Sequence, residues 1–133
     1  MLDAGRLARQ EISRNAYNSA MTDKRLVLST CGSREVGLKI ARALVNGQVA
    51  ACVNVVGPIE SVYRWKDKVE NAQEFLLLIK TTAENFERLC EQIRSLNPYE
   101  LPEVLEFAVE NGLTAYLDWI GESVTGTQGA QQP

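Results

Sequence analysis

The 133-residue chain contains no histidine. That absence removes at once the side chain that most often acts as a general base near neutral pH and the imidazole that most often holds a transition metal. Cysteine is scarce: Cys31, Cys52 and Cys90 lie far apart, are odd in number and form no CxxC. The pattern speaks against a disulfide scaffold or a thiolate zinc clip and fits a reducing compartment, so a cytoplasmic location is expected. Basic charge is also short, with 14 Lys and Arg against 17 Asp and Glu and a net charge of −3. A nucleic-acid partner would demand a basic patch, so none is expected. No apolar run approaches the roughly 18 residues of a membrane helix, so no membrane partner is expected either. Positions 1–22 carry Asp3, Arg6, Arg9, Glu11 and Arg14 in place of the apolar centre of an export signal.

What is present is the composition of one soluble globular domain, 45% hydrophobic and 23% charged. The densest information lies between Val49 and Thr81, which reads VAACVNVV, GP, IESVYRWKDK, VENAQ, EFLLLIKT. Three segments rich in Val, Ile, Leu and aromatics, parted by turn-forming or polar breaks, predict an antiparallel run of strands. In the second segment Ile59, Ser61, Tyr63 and Trp65 alternate with Glu60, Val62, Arg64 and Lys66, the signature of a half-buried strand. In the third, Phe75 to Ile79 is apolar at every position, so both faces of that strand must be covered.

Around this centre, Arg25–Thr30 predicts a strand and Cys31-Gly32-Ser33 a break, with Ser33 placed to cap a helix. Val36, Ile40, Ala43 and Leu44 recur at helical spacing until Asn46-Gly47. A second amphipathic helix is predicted from Ala83 to Leu96, ended by Asn97-Pro98. A strand over Leu101–Val109 and a closing helix over Thr114–Ser123 follow. Residues 1–24 read as a flexible extension, 25–123 as the domain and 124–133 as a disordered polar tail. The order is that of an α+β, ferredoxin-like split βαβ domain: an antiparallel sheet with two helices on one face, plus a C-terminal helix. Two helices cover one face only. Burying even ~400 Å² of the other would contribute on the order of 10 kcal/mol before association entropy, so an obligate oligomer is expected.

The strings AACVNVV, SVYRWKDKV, EFLLLIKTT, SLNPYELPEVLEFAV and AYLDW, in this order and spacing, resemble the CutA1 family of divalent-cation tolerance proteins from Leu26 to Ser123. The resemblance implies a cytoplasmic homotrimer of ferredoxin-like subunits, similar to the PII signalling proteins, with long strands pairing across subunit boundaries. It implies a link to tolerance of copper and other divalent metals; the sequence offers no nucleophile–base pair, so no enzymatic activity is expected. It also makes Cys52, in AACVN, a cleft candidate; read from the sequence alone, a lone strand thiol is first of all a small core residue. Lys68 matches the family's hairpin motif, whereas Asp67 stands where that motif has glycine, so the hairpin end is expected to be built differently. Asn97 stands where relatives carry histidine before Pro-Tyr-Glu. An amide is no substitute for imidazole towards a borderline metal, so copper chemistry does not follow from the family name.

The remaining candidates come from the residues themselves. Tyr63 and Trp65 share one strand face, as subunit anchors or as walls of a ligand cleft. Lys80 ends the apolar run, with Glu100 and Glu103 as its expected partners and Tyr99 beside them. That set serves as a structural ion cluster, a hard-cation site or an acid/base group. Cys90 is expected in the core, and Cys31, in a loop, is expected to be the most reachable thiol. No cofactor is assigned, and a divalent metal ion is the one candidate. The leading function is therefore metal-ion tolerance and homeostasis by a homotrimer with a small-molecule or metal-ion ligand. The alternatives are a PII-like sensor holding an anionic metabolite between subunits, through Lys68, Lys80 and Tyr99, and, last, a small enzyme.

Overall fold

The computed structural model of the chain describes residues 22–126. Most of the predicted N-terminal extension and of the polar tail lies outside the described residues. Strand β1 (Lys24–Cys31) leads into helix α1 (Arg34–Asn46), whose first turn is closed by the Ser33 hydroxyl accepting the Val36 N–H at 3.1 Å. Gly37, Ile40, Ala41 and Leu44 form its buried stripe. Gly37 lets the helix lie close on the sheet, because a Cβ there would stand 3.1 Å from Cys31 Sγ and 3.2 Å from Val55 Cγ1.

Strands β2 (Cys52–Trp65) and β3 (Lys68–Thr82) form one long hairpin. Neither of the breaks read from the sequence is a turn. Gly57-Pro58 is an irregularity inside β2, between Val56 and Ile59. The sheet order β2-β3-β1-β4 makes β2 an edge strand, where the missing N–H of Pro58 goes unmissed. Val69 to Gln73 continue β3 without interruption; Glu70, Asn71 and Gln73 make the stretch mostly polar because this end of the hairpin projects past the helices into solvent. The reversal is at Lys66 and Asp67, with φ of 51° and 67°. Positive φ at both residues of a two-residue loop matches the twist of the strands, and Asp67 adopts it in the position where the family motif has glycine.

A single 3₁₀ turn (Ala83–Asn85) precedes helix α2 (Phe86–Leu96), so the helix starts three residues later than its apolar spacing predicts. Asn85 is the cause: it is buried, donates to Thr82 Oγ1 at 2.8 Å and accepts from Arg88 at 2.8 Å. Strand β4 (Val104–Ala108) is shorter than the predicted 101–109, because residues 97–103 cross the end of the sheet first. Helix α3 (Thr114–Ser123) closes the fold. Thr125, assigned by composition to the tail, is tied down: its N–H donates to the Gln48 carbonyl at 2.9 Å and its carbonyl accepts from Arg88 at 3.0 Å. Among the described residues no helix is long and apolar enough to cross a membrane.

All strand pairs are antiparallel and the architecture is the ferredoxin-like one expected. On one face Val27, Leu77 and Ile79 meet Ile40, Leu44, Leu89 and Ile93 of α1 and α2. On the other, the register aligns Leu28 with Leu78 and Leu105, Leu26 with Phe107, and Val56 with Leu76. Helix α3 covers part of this second face, burying Ile120 and setting Gly121 against Lys24. Val56, Leu105 and Phe107 stay 41%, 51% and 47% exposed.

Two thiols depart from expectation. Cys31 is fully buried at the end of β1, not reachable in a loop. Burial pushes its thiol above the ordinary value, and its Sγ donates to the Ser33 carbonyl at 3.3 Å. Cys90 is only partly buried, since α2 turns just Leu89 and Ile93 fully inward.

The irregularity in β2 tolerates no side chain at its glycine, because a Cβ on Gly57 would stand 2.7 Å from Phe75 Cδ2 and 3.0 Å from the Glu74 carbonyl. Replacing Gly57 with Ala is expected to cost about 1–3 kcal/mol in urea denaturation, the usual penalty for overpacking. A stability unchanged within 0.5 kcal/mol, on the order of an ordinary surface substitution, would contradict this packing.

Candidate functional site

Where the hairpin stands clear of the helices, the segment after α2 crosses beneath it. Asn97 fixes the crossing: its Nδ2 donates to the Thr30 carbonyl at 2.9 Å and its Oδ1 accepts the Tyr99 N–H at 3.0 Å. The residue is 5% exposed. Both ends of its amide are therefore spent on backbone, and it holds a loop in shape without lining the cleft. The segment then carries Tyr99 to the hairpin, where its hydroxyl donates to Glu74 Oε2 at 2.7 Å.

Between them opens a cleft of about 750 Å³, within the range of small-ligand sites. Ser61, Tyr63 and Trp65 of β2 sit opposite Ala72, Glu70 and Lys68 of β3, so that one face of the hairpin presents Tyr63, Trp65, Glu70 and Glu74 together. The crossing segment adds Tyr99, Glu100 and Glu103. Four carboxylates thus line the cleft, and among the described residues no lysine or arginine does. At its rim Lys66 Nζ lies 3.8 Å from Glu100 Oε2 and 5.5 Å from the centroid of the Trp65 ring. Lys66 belongs to the turn, not to the strand face opposite Trp65 where simple alternation places it.

The structure brings Tyr63, Trp65, Tyr99, Glu100 and Glu103 to one place and sends the other candidates elsewhere. Lys80 pairs in register with Cys52 near the opposite end of the hairpin. Its ammonium donates to Asn54 Oδ1 and stands 3.6 Å from Cys52 Sγ. The expected Lys80 pairing with Glu100 or Glu103 is absent within the subunit, because Glu74, which does reach the cleft, lies six residues back along β3. Cys52 belongs to the sheet face away from α1 and α2, so it is not part of the core beneath those helices. Lys68 is exposed at the hairpin tip, opposite Trp65. Glu70 and Glu74 were missed from the sequence: Glu70 lies in VENAQ, which reads as a break, and Glu74 opens EFLLLIKT, where the apolar run from Phe75 carries the signal. Read as a strand, the same residues show Glu70, Ala72 and Glu74 alternating onto one face.

No group of three His, Cys, Asp or Glu side chains converges as a metal site among the described residues. Glu70 and Glu74, four residues apart on one strand, are separated by roughly 13 Å along it. The carboxylates of one chain are distributed along the cleft and do not close on a point.

The same scaffold is found in known proteins. The profile of the CutA1 divalent ion tolerance family matches residues 25–123. The chain belongs to the CutA1 family. It is 45% identical over 98 residues to the divalent-cation tolerance protein CutA of Thermus thermophilus, covering 74% of this chain and 95% of that one. It is 45% identical over 95 residues to a CutA homolog of Xenopus laevis, of which the match spans 63%. The solved CutA1 structure from Thermus thermophilus superposes with a TM-score of 0.75 at 44% identity, over 76% of this chain and 98% of that one. Names within the family cite more than one compartment: a relative from Arabidopsis thaliana, 36% identical, is called chloroplastic, and a structure from Archaeoglobus fulgidus, 34% identical, is called periplasmic.

Within this CutA1 cleft the Tyr99 phenol is held well above its usual value of 10.0, first by burial and then by its hydrogen bond to the Glu74 carboxylate. A raised folded-state pKa means that the contribution to stability is complete below pH 10.0 and is lost as the pH climbs from there towards the folded value. Tyr99→Phe is expected to cost about 1 kcal/mol at pH 7, the net worth of one such hydrogen bond, and to flatten the alkaline loss. Denaturation midpoints of both proteins from neutral pH upward check this. A variant that loses stability above pH 10 as steeply as the parent would show that Tyr99 does not carry the effect.

Proposed function

We propose that this CutA1 chain works as a cytoplasmic homotrimer in the tolerance and homeostasis of divalent metal ions, copper among them, by binding cations and not by catalysis. The observation that carries the reading is the charge of the cleft: Glu70, Glu74, Glu100 and Glu103 line it with no basic side chain among the described residues. Such a wall lowers the energy of a cation and raises that of an anion, which favours this reading over a PII-like sensor of an anionic metabolite. The names printed for its relatives, divalent-cation tolerance proteins, support the same direction. The spacing of the cysteines supports the cytoplasm.

With carboxylate and phenol oxygens as the available donors, hard ions suit the cleft better than copper. Because the donors of one chain do not converge, the expected affinity is weak, on the order of 0.1–1 mM as at loosely built oxygen sites. Titration calorimetry of the assembled protein with Ca²⁺, Mg²⁺ and Cu²⁺ tests this. Saturable uptake that drops about tenfold, or 1.4 kcal/mol, in the Glu70→Gln, Glu103→Gln double variant supports the reading. No uptake of any of the three ions, or uptake indifferent to both substitutions, would overturn it.

A further inference from the structure

The cleft has aromatic walls as well as acidic ones, and the two together are more selective than charge. Glu74 is 9% exposed, yet among the described residues its only side-chain hydrogen bond is from Tyr99 and no basic side chain pairs with it. A carboxylate so buried is costly to leave without a cation. A metal ion would be held there only weakly, since it needs several oxygens within one coordination sphere and no such group forms among the described residues. One cation already stands at the rim of the cleft: the Lys66 ammonium, on its flexible methylene chain, lies 5.5 Å from the Trp65 ring centroid and 3.8 Å from Glu100 Oε2. A primary alkylammonium against an aromatic face and a carboxylate is the pairing that cation–π and ion-pair attraction reward together.

We propose that the cleft binds a linear aliphatic polyamine, its ammonium groups reaching successive carboxylates from Glu74 to Glu70 and Glu100 while its methylenes lie along Tyr63 and Trp65. Lys66 is then a tethered competitor that covers the outermost subsite. The proposal rests on the reading of the cleft as a cation site and narrows the class of cation. It accounts for features that a point charge leaves unused: carboxylates spread along one strand, rings between them, and a cleft of about 750 Å³, far larger than any single ion.

The test is calorimetric titration of the full chain, in its native assembly, with spermidine and with MgCl₂ at matched ionic strength, while Trp65 fluorescence is followed. Saturable binding of about one spermidine per cleft is expected. Glu74→Gln keeps the acceptor for Tyr99 but removes the charge, and should weaken spermidine binding about tenfold. Trp65→Leu should weaken it about threefold to tenfold. Lys66→Asn, neutral and at home with positive φ, should strengthen it severalfold in a turn that tolerates the change. A Trp65 variant that fails to fold leaves the other two to decide. Absence of saturable spermidine binding, or binding unaltered in both Glu74→Gln and Lys66→Asn, overturns the proposal. Divalent-ion uptake without spermidine binding overturns this inference alone. Loss of both overturns the cation reading of the cleft as well, and spermidine binding without metal uptake supports this inference while removing the metal role.

Discussion

Strand β3 carries Leu77 and Ile79 into the helix-covered core and Leu76 and Leu78 onto the opposite face. The first pair is buried by α1 and α2 at the ordinary gain of roughly 25 cal/mol per Å² of apolar surface. The second pair lies with Leu26, Leu28, Leu105 and Phe107 on a face to which, among the described residues, the subunit brings only α3. Exposed apolar surface of that kind on an antiparallel sheet marks an interface. The proposed homotrimer would cover it with other copies of the chain.

The same hairpin produces the cleft. Its inner half is held by the sheet and the helices, while its outer half, past the irregularity at Gly57-Pro58, has no helix beneath it among the described residues. Residues there answer to solvent and to the segment from Asn97 to Glu103, which explains why aromatic and acidic side chains share one strand face. Asn97 and Tyr99 hold the two walls together, one by two backbone hydrogen bonds and the other by its bond to Glu74. The charged lining and the apolar face are thus two ends of one element: the inner end carries the face that the proposed homotrimer would cover, the outer end the proposed cation cleft.

Much of the fold was legible because periodicity reports burial directly. The stripe of α1, the two-sided run in β3 and the alternation from Ile59 to Trp65 all reflect faces that the structure covers or half covers. What periodicity missed was set by non-local contacts. VENAQ looked like a break because strands that leave the core become polar, and Glu70 was lost with it, as was the alternation that puts Glu74 on the same face. Lys80 looked like a partner for Glu103 because both sit at strand ends, but pairing register, which fixes Lys80 opposite Cys52, is not visible in a single strand. Cys31 read as a loop residue because Gly32 follows it, although β1 runs one residue further and turns the thiol inward. Asn97 read as the stand-in for a ligand, and the structure makes it a bracket between Thr30 and Tyr99.

The central claim is that the second face of the sheet is closed by other copies of the same chain, and sedimentation equilibrium at micromolar concentration tests it most directly. The account predicts a single species of three times the 14.8 kDa chain mass, unchanged on dilution through that range. A folded monomer, with native circular dichroism and a cooperative unfolding transition, would contradict it.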